Sequence, residues 1–187
     1  MAGGLLQEYI NAQPNLPTPD QLPITHQWRP PDHPRFKANF DGAMFNNINV
    51  ARIRVVIRDS NAEVIGALSR RIPLPQTMEE VGALACRQAM QLAKETGISK
   101  VVFEGDSIII VQALKHGQAD QSVYGHILDD VTRQTSQFLL CDFSHVPLTC
   151  NKVADFLAKK ARIGSVSQVW LEDFPREIIS LAFADSI

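Results

Sequence analysis

Three aspartates sit on three separate elements of the chain. Asp41 interrupts an apolar, β-rich run, Asp106 joins a short apolar run to a helical one, and Asp155 falls early in a later helical pattern. Aspartate is disfavoured inside strands and costly to bury unpaired, so Asp41 reads as a ligand before it reads as structure. Carboxylates gathered from several elements suit hard Mg²⁺, which prefers oxygen donors, and two such ions can clamp the attacking and leaving oxygens of a phosphodiester. Each of the others has a plainer reading beside this one. Asp106 would cap a helix N-terminus usefully, and Asp155 would decorate the first turn of a helix capped by Asn151. His145, just before Val146-Pro147, reads equally as a hydrogen-bonded surface residue and as a proton-handling group.

These residues need a scaffold, and the hydrophobic pattern supplies one. Phe36 to Phe45, Val50 to Arg58 and Glu63 to Ile72 are three β-rich stretches divided by turn residues, Arg58-Asp59-Ser60-Asn61 being the clearest, which predicts an antiparallel meander. In the second stretch Ile53, Val55 and Ile57 alternate with Arg52, Arg54 and Val56, predicting one core face and one cationic face. Thr77 and Glu80 form a capping box ahead of a helix in which Val81, Leu84, Ala85, Gln88, Ala89 and Leu92 recur until Gly97. A strand over Lys100 to Glu104, a helix over Ser107 to Lys115 ended by Gly117, and a helix from 122 to about 137 with Val123, Ile127 and Val131 on one side follow. A strand over Phe138 to Val146 and a helix over Asn151 to Ile163 complete the pattern β-β-β-α-β-α-α-β-α.

Composition narrows the class. At 187 residues, 45% of them apolar, the chain is long enough to bury one sizeable core. A formal net charge of −2 provides no general attraction to nucleic acid, so phosphate contacts would have to come from local basic groups. Cys86, Cys141 and Cys150 are odd in number and lack C-x-x-C spacing, which argues for reduced thiols rather than a disulfide scaffold or zinc site. No apolar run approaches the ~20 residues that span a bilayer, and the N-terminus lacks a secretory or transit pattern. The nucleus or cytoplasm is the expected location, with no membrane partner.

Seven of the 11 prolines precede residue 35, so residues 1–34 read as a proline-rich linker. Trp28 either pins the end of this linker onto the domain or stands unattached. Residues 35–163 form the domain and residues 164–187 a tail, in which Trp170, Phe174 and Ile178 at helical spacing favour packing on or near the domain.

Five blocks, taken together, resemble a known family. Lys37-Ala-Asn-Phe-Asp41-Gly-Ala, Val55-Val-Ile-Arg58-Asp59, Val102-Phe-Glu104-Gly-Asp106-Ser107, His145-Val-Pro147 and Asn151-Lys-Val-Ala-Asp155-Phe-Leu-Ala158 look like the plant RNase H-like domain related to retrotransposon reverse transcriptases. Order and spacing match as well, and the resemblance covers about residues 28 to 187, including Trp170-Leu-Glu-Asp-Phe-Pro175. It implies an α/β ribonuclease H-like fold, with a five-stranded mixed sheet of three antiparallel then two parallel strands flanked by helices. It further implies Mg²⁺-dependent cleavage of RNA in RNA/DNA hybrids, four carboxylates around two ions, and a histidine assisting product release. Asp41, Asp106, Asp155 and His145 match those positions.

The fourth carboxylate is missing. The resemblance implies a glutamate in an Ala-Glu-x-x-Ala pattern on the first helix, and this chain reads Val81-Gly82-Ala-Leu-Ala85. Glycine offers no ligand and costs an interior helix position roughly 1 kcal/mol relative to alanine. Glu79, one turn earlier on the same face, is the nearby carboxylate, but a displacement of about 5 Å far exceeds the ~0.5 Å tolerance of a preorganised site. One bound Mg²⁺ or none is therefore expected, with weak or lost cleavage.

Other positions are relaxed too. The resemblance implies glycines where this chain has Arg54 and Ala62, and an arginine where it has Leu148. Arg54 reads as a solvated arginine on an exposed sheet face, ahead of a phosphate contact. Lys152, Lys159, Lys160 and Arg162 either meet a phosphate backbone or simply complement their helix dipole, the second being favoured. Two readings follow: an RNase H type-1-like nucleic-acid-binding domain of impaired activity, and a non-catalytic protein- or nucleic-acid-interaction module derived from a retrotransposon RNase H.

Overall fold

A computed structural model of the chain describes residues 28–117, 122–147, 167–171 and 173–185. The expected meander is present: β1 (Phe36–Phe45), β2 (Val50–Arg58) and β3 (Val64–Pro73) pair antiparallel in sequence. The chain then forms α1 (Met78–Glu95), β4 (Lys100–Gly105), α2 (Ile108–His116), α3 (Gly125–Thr135), β5 (Leu140–His145), β6 (Gln168–Trp170) and α4 (Arg176–Asp185). β4 runs parallel beside β1, and β5 parallel beside β4, so the sheet order is β5-β4-β1-β2-β3-β6. This is the α/β ribonuclease H-like arrangement of a mixed sheet flanked by helices, with six strands rather than five.

The sixth strand comes from the tail. Trp170 lies in β6, which pairs antiparallel with β3, whereas Ile178 lies in α4, so the apparent helical spacing of Trp170, Phe174 and Ile178 joins different elements. All three nevertheless share one apolar cluster with Val56 and Ala67. That cluster lies on the sheet face opposite α1, and every residue of β2 is buried. The expected cationic face of β2 is thus no solvated surface: Arg52, Arg54 and Arg58 are 6%, 3% and 1% exposed.

On the other face, Ile53, Val55 and Ile57 meet Ala85, Ala89 and Leu92 of α1 in the main core. The capping box forms, with Thr77 Oγ1 accepting from the Glu80 backbone N–H at 3.1 Å. The Glu80 carboxylate accepts from Gln76 N–H at 2.8 Å and is thereby committed to the helix start. Gln88 keeps the helical spacing but accepts from Arg70 instead of joining the core. Val123 also departs from expectation: it is 48% exposed in a turn before α3, whose buried side is Ile127, Leu128 and Val131.

Trp28 is packed and 3% exposed, with the Arg58 guanidinium 3.3 Å over its ring. Its Nε1 donates to Glu104, which also accepts from Asn39 Nδ2 at 2.9 Å and pairs with Lys37 Nζ at 2.8 Å. The buried carboxylate of β4 is therefore fully surrounded by donors, as its burial requires. Among the described residues, no helix is long and apolar enough to cross a membrane.

Candidate functional site

Two glycines bring the aspartates to one place. A Cβ on Gly42 would lie 2.2 Å from Val81 Cγ1, so only glycine lets the first turn of α1 close on β1 beside Asp41. A Cβ on Gly105 would lie 2.5 Å from the Phe40 ring, so the end of β4, and with it Asp106, likewise depends on a missing side chain. The result is a cleft of about 160 Å³ lined by Asp41, Glu79, Gly82 and Asp106, with Phe40 and Met78 among its walls.

Asp41 is held on both oxygens. Its Oδ1 accepts from Gly42 N–H at 2.6 Å, and its Oδ2 pairs with Arg54 Nη1 at 2.8 Å. Arg54 stands directly opposite Asp41 in the β1–β2 ladder. Its side chain is only 4% exposed, against 11% for that of the aspartate, so this ion pair is nearly dry. Arg54 is the residue that sequence reasoning misassigned. The turn that closes the β1–β2 hairpin puts it opposite Asp41, and this register was the available signal.

Asp106 follows β4, and burial pushes its carboxyl above the ordinary aspartate range, against the opposing pull of its own backbone N–H, His145 and Arg54. The helix-cap role falls to Ser107, whose hydroxyl accepts from Ile110 N–H at 3.5 Å. His145 ends β5 next to Gly105, exposed, with Nε2 3.1 Å from the Asp106 carbonyl oxygen. The structure thus brings Asp41, Asp106 and His145 to one end of the sheet.

Gly82 faces the cleft from α1, where an added Cβ would make contacts of 3.4 Å with Ile110 and 3.8 Å with Ser107. No carboxylate stands there. Glu79 lines the cleft, half-buried, one turn earlier. Asp155, Lys152, Lys159, Lys160 and Arg162 lie outside the described residues. Among the described residues, no three His, Cys, Asp or Glu side chains come together closely enough to hold a metal ion.

A sequence model described as reverse transcriptase-like matches residues 39–161. No curated protein matches the chain. Among solved structures, RNase H1 from the halophilic archaeon Halobacterium salinarum NRC-1 superposes with a TM-score of 0.62 at 22% identity, over 68% of this chain and 97% of that one. The N-terminal RNase H domain of a Mycobacterium tuberculosis protein gives 0.61 at 19% identity, over 68% and 92%. LC11-RNase H1, isolated from compost and solved in complex with an RNA/DNA hybrid, gives 0.59 at 20% identity, over 65% and 92%. At these identities the likeness is one of fold.

Proposed function

The chain belongs to the reverse transcriptase-like family, and from that premise we propose that it binds RNA/DNA hybrid across the cleft as an RNase H type-1-like domain whose Mg²⁺-dependent cleavage of the RNA strand is weak or lost. Hybrid binding is supported by the fold shared with LC11-RNase H1, whose structure contains such a hybrid. Impairment is carried by Gly82, which lines the same cleft as Asp41 and Asp106 without a carboxylate. In this reading Asp41, Asp106 and Asp155 are the metal-ligand positions, and His145 lies where it can assist product release.

The residues do not fit a two-ion set. A clamp on both reacting oxygens needs ligands from α1 as well as from the strands, and Glu79 approaches from a turn away while Glu80 is spent on the helix cap. A second reading, a retrotransposon-derived module that binds protein and has abandoned catalysis, is favoured by Met78, Ile108 and Ile109. All three are about half exposed, Met78 in the wall of the cleft and the isoleucines in the first turn of α2 after the cleft residue Ser107, where a groove for a charged polymer gains little from apolar surface.

Hybrid cleavage by the natural chain and by Gly82→Glu, in Mg²⁺ and in Mn²⁺, separates the outcomes. Weak or absent cleavage with salt-sensitive hybrid binding is expected from the natural chain. Robust Mg²⁺-dependent cleavage by it overturns the impairment. Absence of hybrid binding overturns the nucleic-acid reading and leaves the protein-binding module.

A further inference from the structure

We propose that Arg54 is a built-in cation that keeps divalent metal off Asp41, so that the missing carboxylate at Gly82 is the lesser of two defects. The inference rests on the reading of this cleft as a metal site by descent, and it deepens that reading. Asp41 Oδ2 is already bound by Arg54 Nη1 at 2.8 Å, and Oδ1 by the Gly42 N–H at 2.6 Å. A Mg²⁺ ion demands a carboxylate oxygen at about 2.0–2.1 Å with near-octahedral freedom around it, which a nearly dry guanidinium contact on the same carboxylate opposes.

Charge opposes it further. A divalent ion at Asp41 would sit within a few ångströms of the guanidinium of a side chain that is 4% exposed, a charge therefore poorly screened. Arg54 is not alone on this face: Arg52 lies two residues earlier in β2 and pairs in register with Arg71 of β3. The Arg52 pKa is lowered by burial and then by Arg71 and Arg54, which reports a crowded positive field. Arg54 also has little room to withdraw. It lies on a strand buried on both faces, and its partner is fixed by the β1–β2 ladder instead of by a mobile loop.

The metal alone is the probe, titrated into the full chain without nucleic acid. Mn²⁺ uptake, followed by electron paramagnetic resonance of the free ion, is compared for the natural chain, Gly82→Glu, Arg54→Gln and the double variant. Gln keeps a donor toward Asp41 while removing the charge. Gly82→Glu alone is expected to leave uptake weak, Arg54→Gln to tighten it by about tenfold or more, the scale on which neighbours of ligands act, and the double variant to bind tightest. Tight uptake by Gly82→Glu alone, or no gain from Arg54→Gln, overturns the proposal.

Should Arg54→Gln fail to fold, Arg54→Lys and Arg54→Met decide the matter. Arg54→Lys, which keeps the charge, is expected to stay as weak as the natural chain, and Arg54→Met, which removes the charge at similar length, to tighten uptake. Equal uptake by the two refutes the block. A chain that gains Mn²⁺ through Arg54→Gln yet never binds hybrid would refute the nucleic-acid reading and leave this one standing.

Discussion

Trp28 donates its indole N–H to Glu104 at 2.9 Å, a buried hydrogen bond between residues 76 apart in sequence. It fixes the start of the described chain to β4, the strand beside β1. Trp28→Phe keeps most of the ring over Arg58 but removes one donor from a buried carboxylate. A loss of about 1.5–3 kcal/mol is expected, the range for hydrogen bonds to charged groups, read as a lower urea midpoint at unchanged slope. An unchanged midpoint would show that Asn39 and Lys37 satisfy Glu104 by themselves.

Two glycines of the cleft should respond to alanine with opposite signs. Gly42→Ala puts a methyl group 2.2 Å from Val81 Cγ1 and is expected to cost about 1–3 kcal/mol as α1 is forced off β1. At Gly82 the nearest atom to the new methyl is Ile110 Cγ1 at 3.4 Å, and the helix gains roughly 1 kcal/mol of propensity. Thermal melts of the two variants should move in opposite directions.

Ala62 has φ of 65°, a left-handed conformation that costs a side-chain-bearing residue about 1–2 kcal/mol. The turn enforces it, because Asp59 Oδ1 accepts from both Asn61 and Glu63 N–H groups at 2.9 Å. Ala62→Gly relieves the strain and gives back part of the gain through a more flexible unfolded chain. A net stabilisation of about 0.5–1 kcal/mol is expected in urea melts.

Burial raises the Asp106 pKa, so the folded state holds that proton more tightly than the unfolded state. Stability should therefore fall as pH rises from the ordinary aspartate range through the higher folded-state value, and stay lowered above it. Asp106→Asn is expected to raise Tm at neutral pH and to leave it nearly unchanged in acid below the ordinary range. A neutral-pH Tm equal to or below that of the natural chain would contradict this.

The meander, the capped first helix and the β4–α2 unit were legible because each is written locally, in alternation, a capping box and a stop glycine. The cleft residues Asp41, Asp106 and His145 were legible through their blocks. Arg54 was not, since alternation in β2 marks which face a residue takes and not what covers that face. At Val56 the covering comes from α4, more than a hundred residues later, where Ile178 and Ala182 join it in one cluster. Trp170 was misplaced for a related reason: a three-residue strand carries too little periodicity to be told from a helical turn.

β6 pairs with β3 only over Ala67, Leu68 and Ser69, near the middle of a ten-residue strand. Those few bonds turn an open border into a shielded one. Removing the tail from residue 168 onward would bare the backbone donors and acceptors at the middle of this edge, together with the apolar side chains of Val56 and Ala67. Such a border is a template for strands of neighbouring molecules, so a chain cut at residue 168 is expected to aggregate more readily than the full chain.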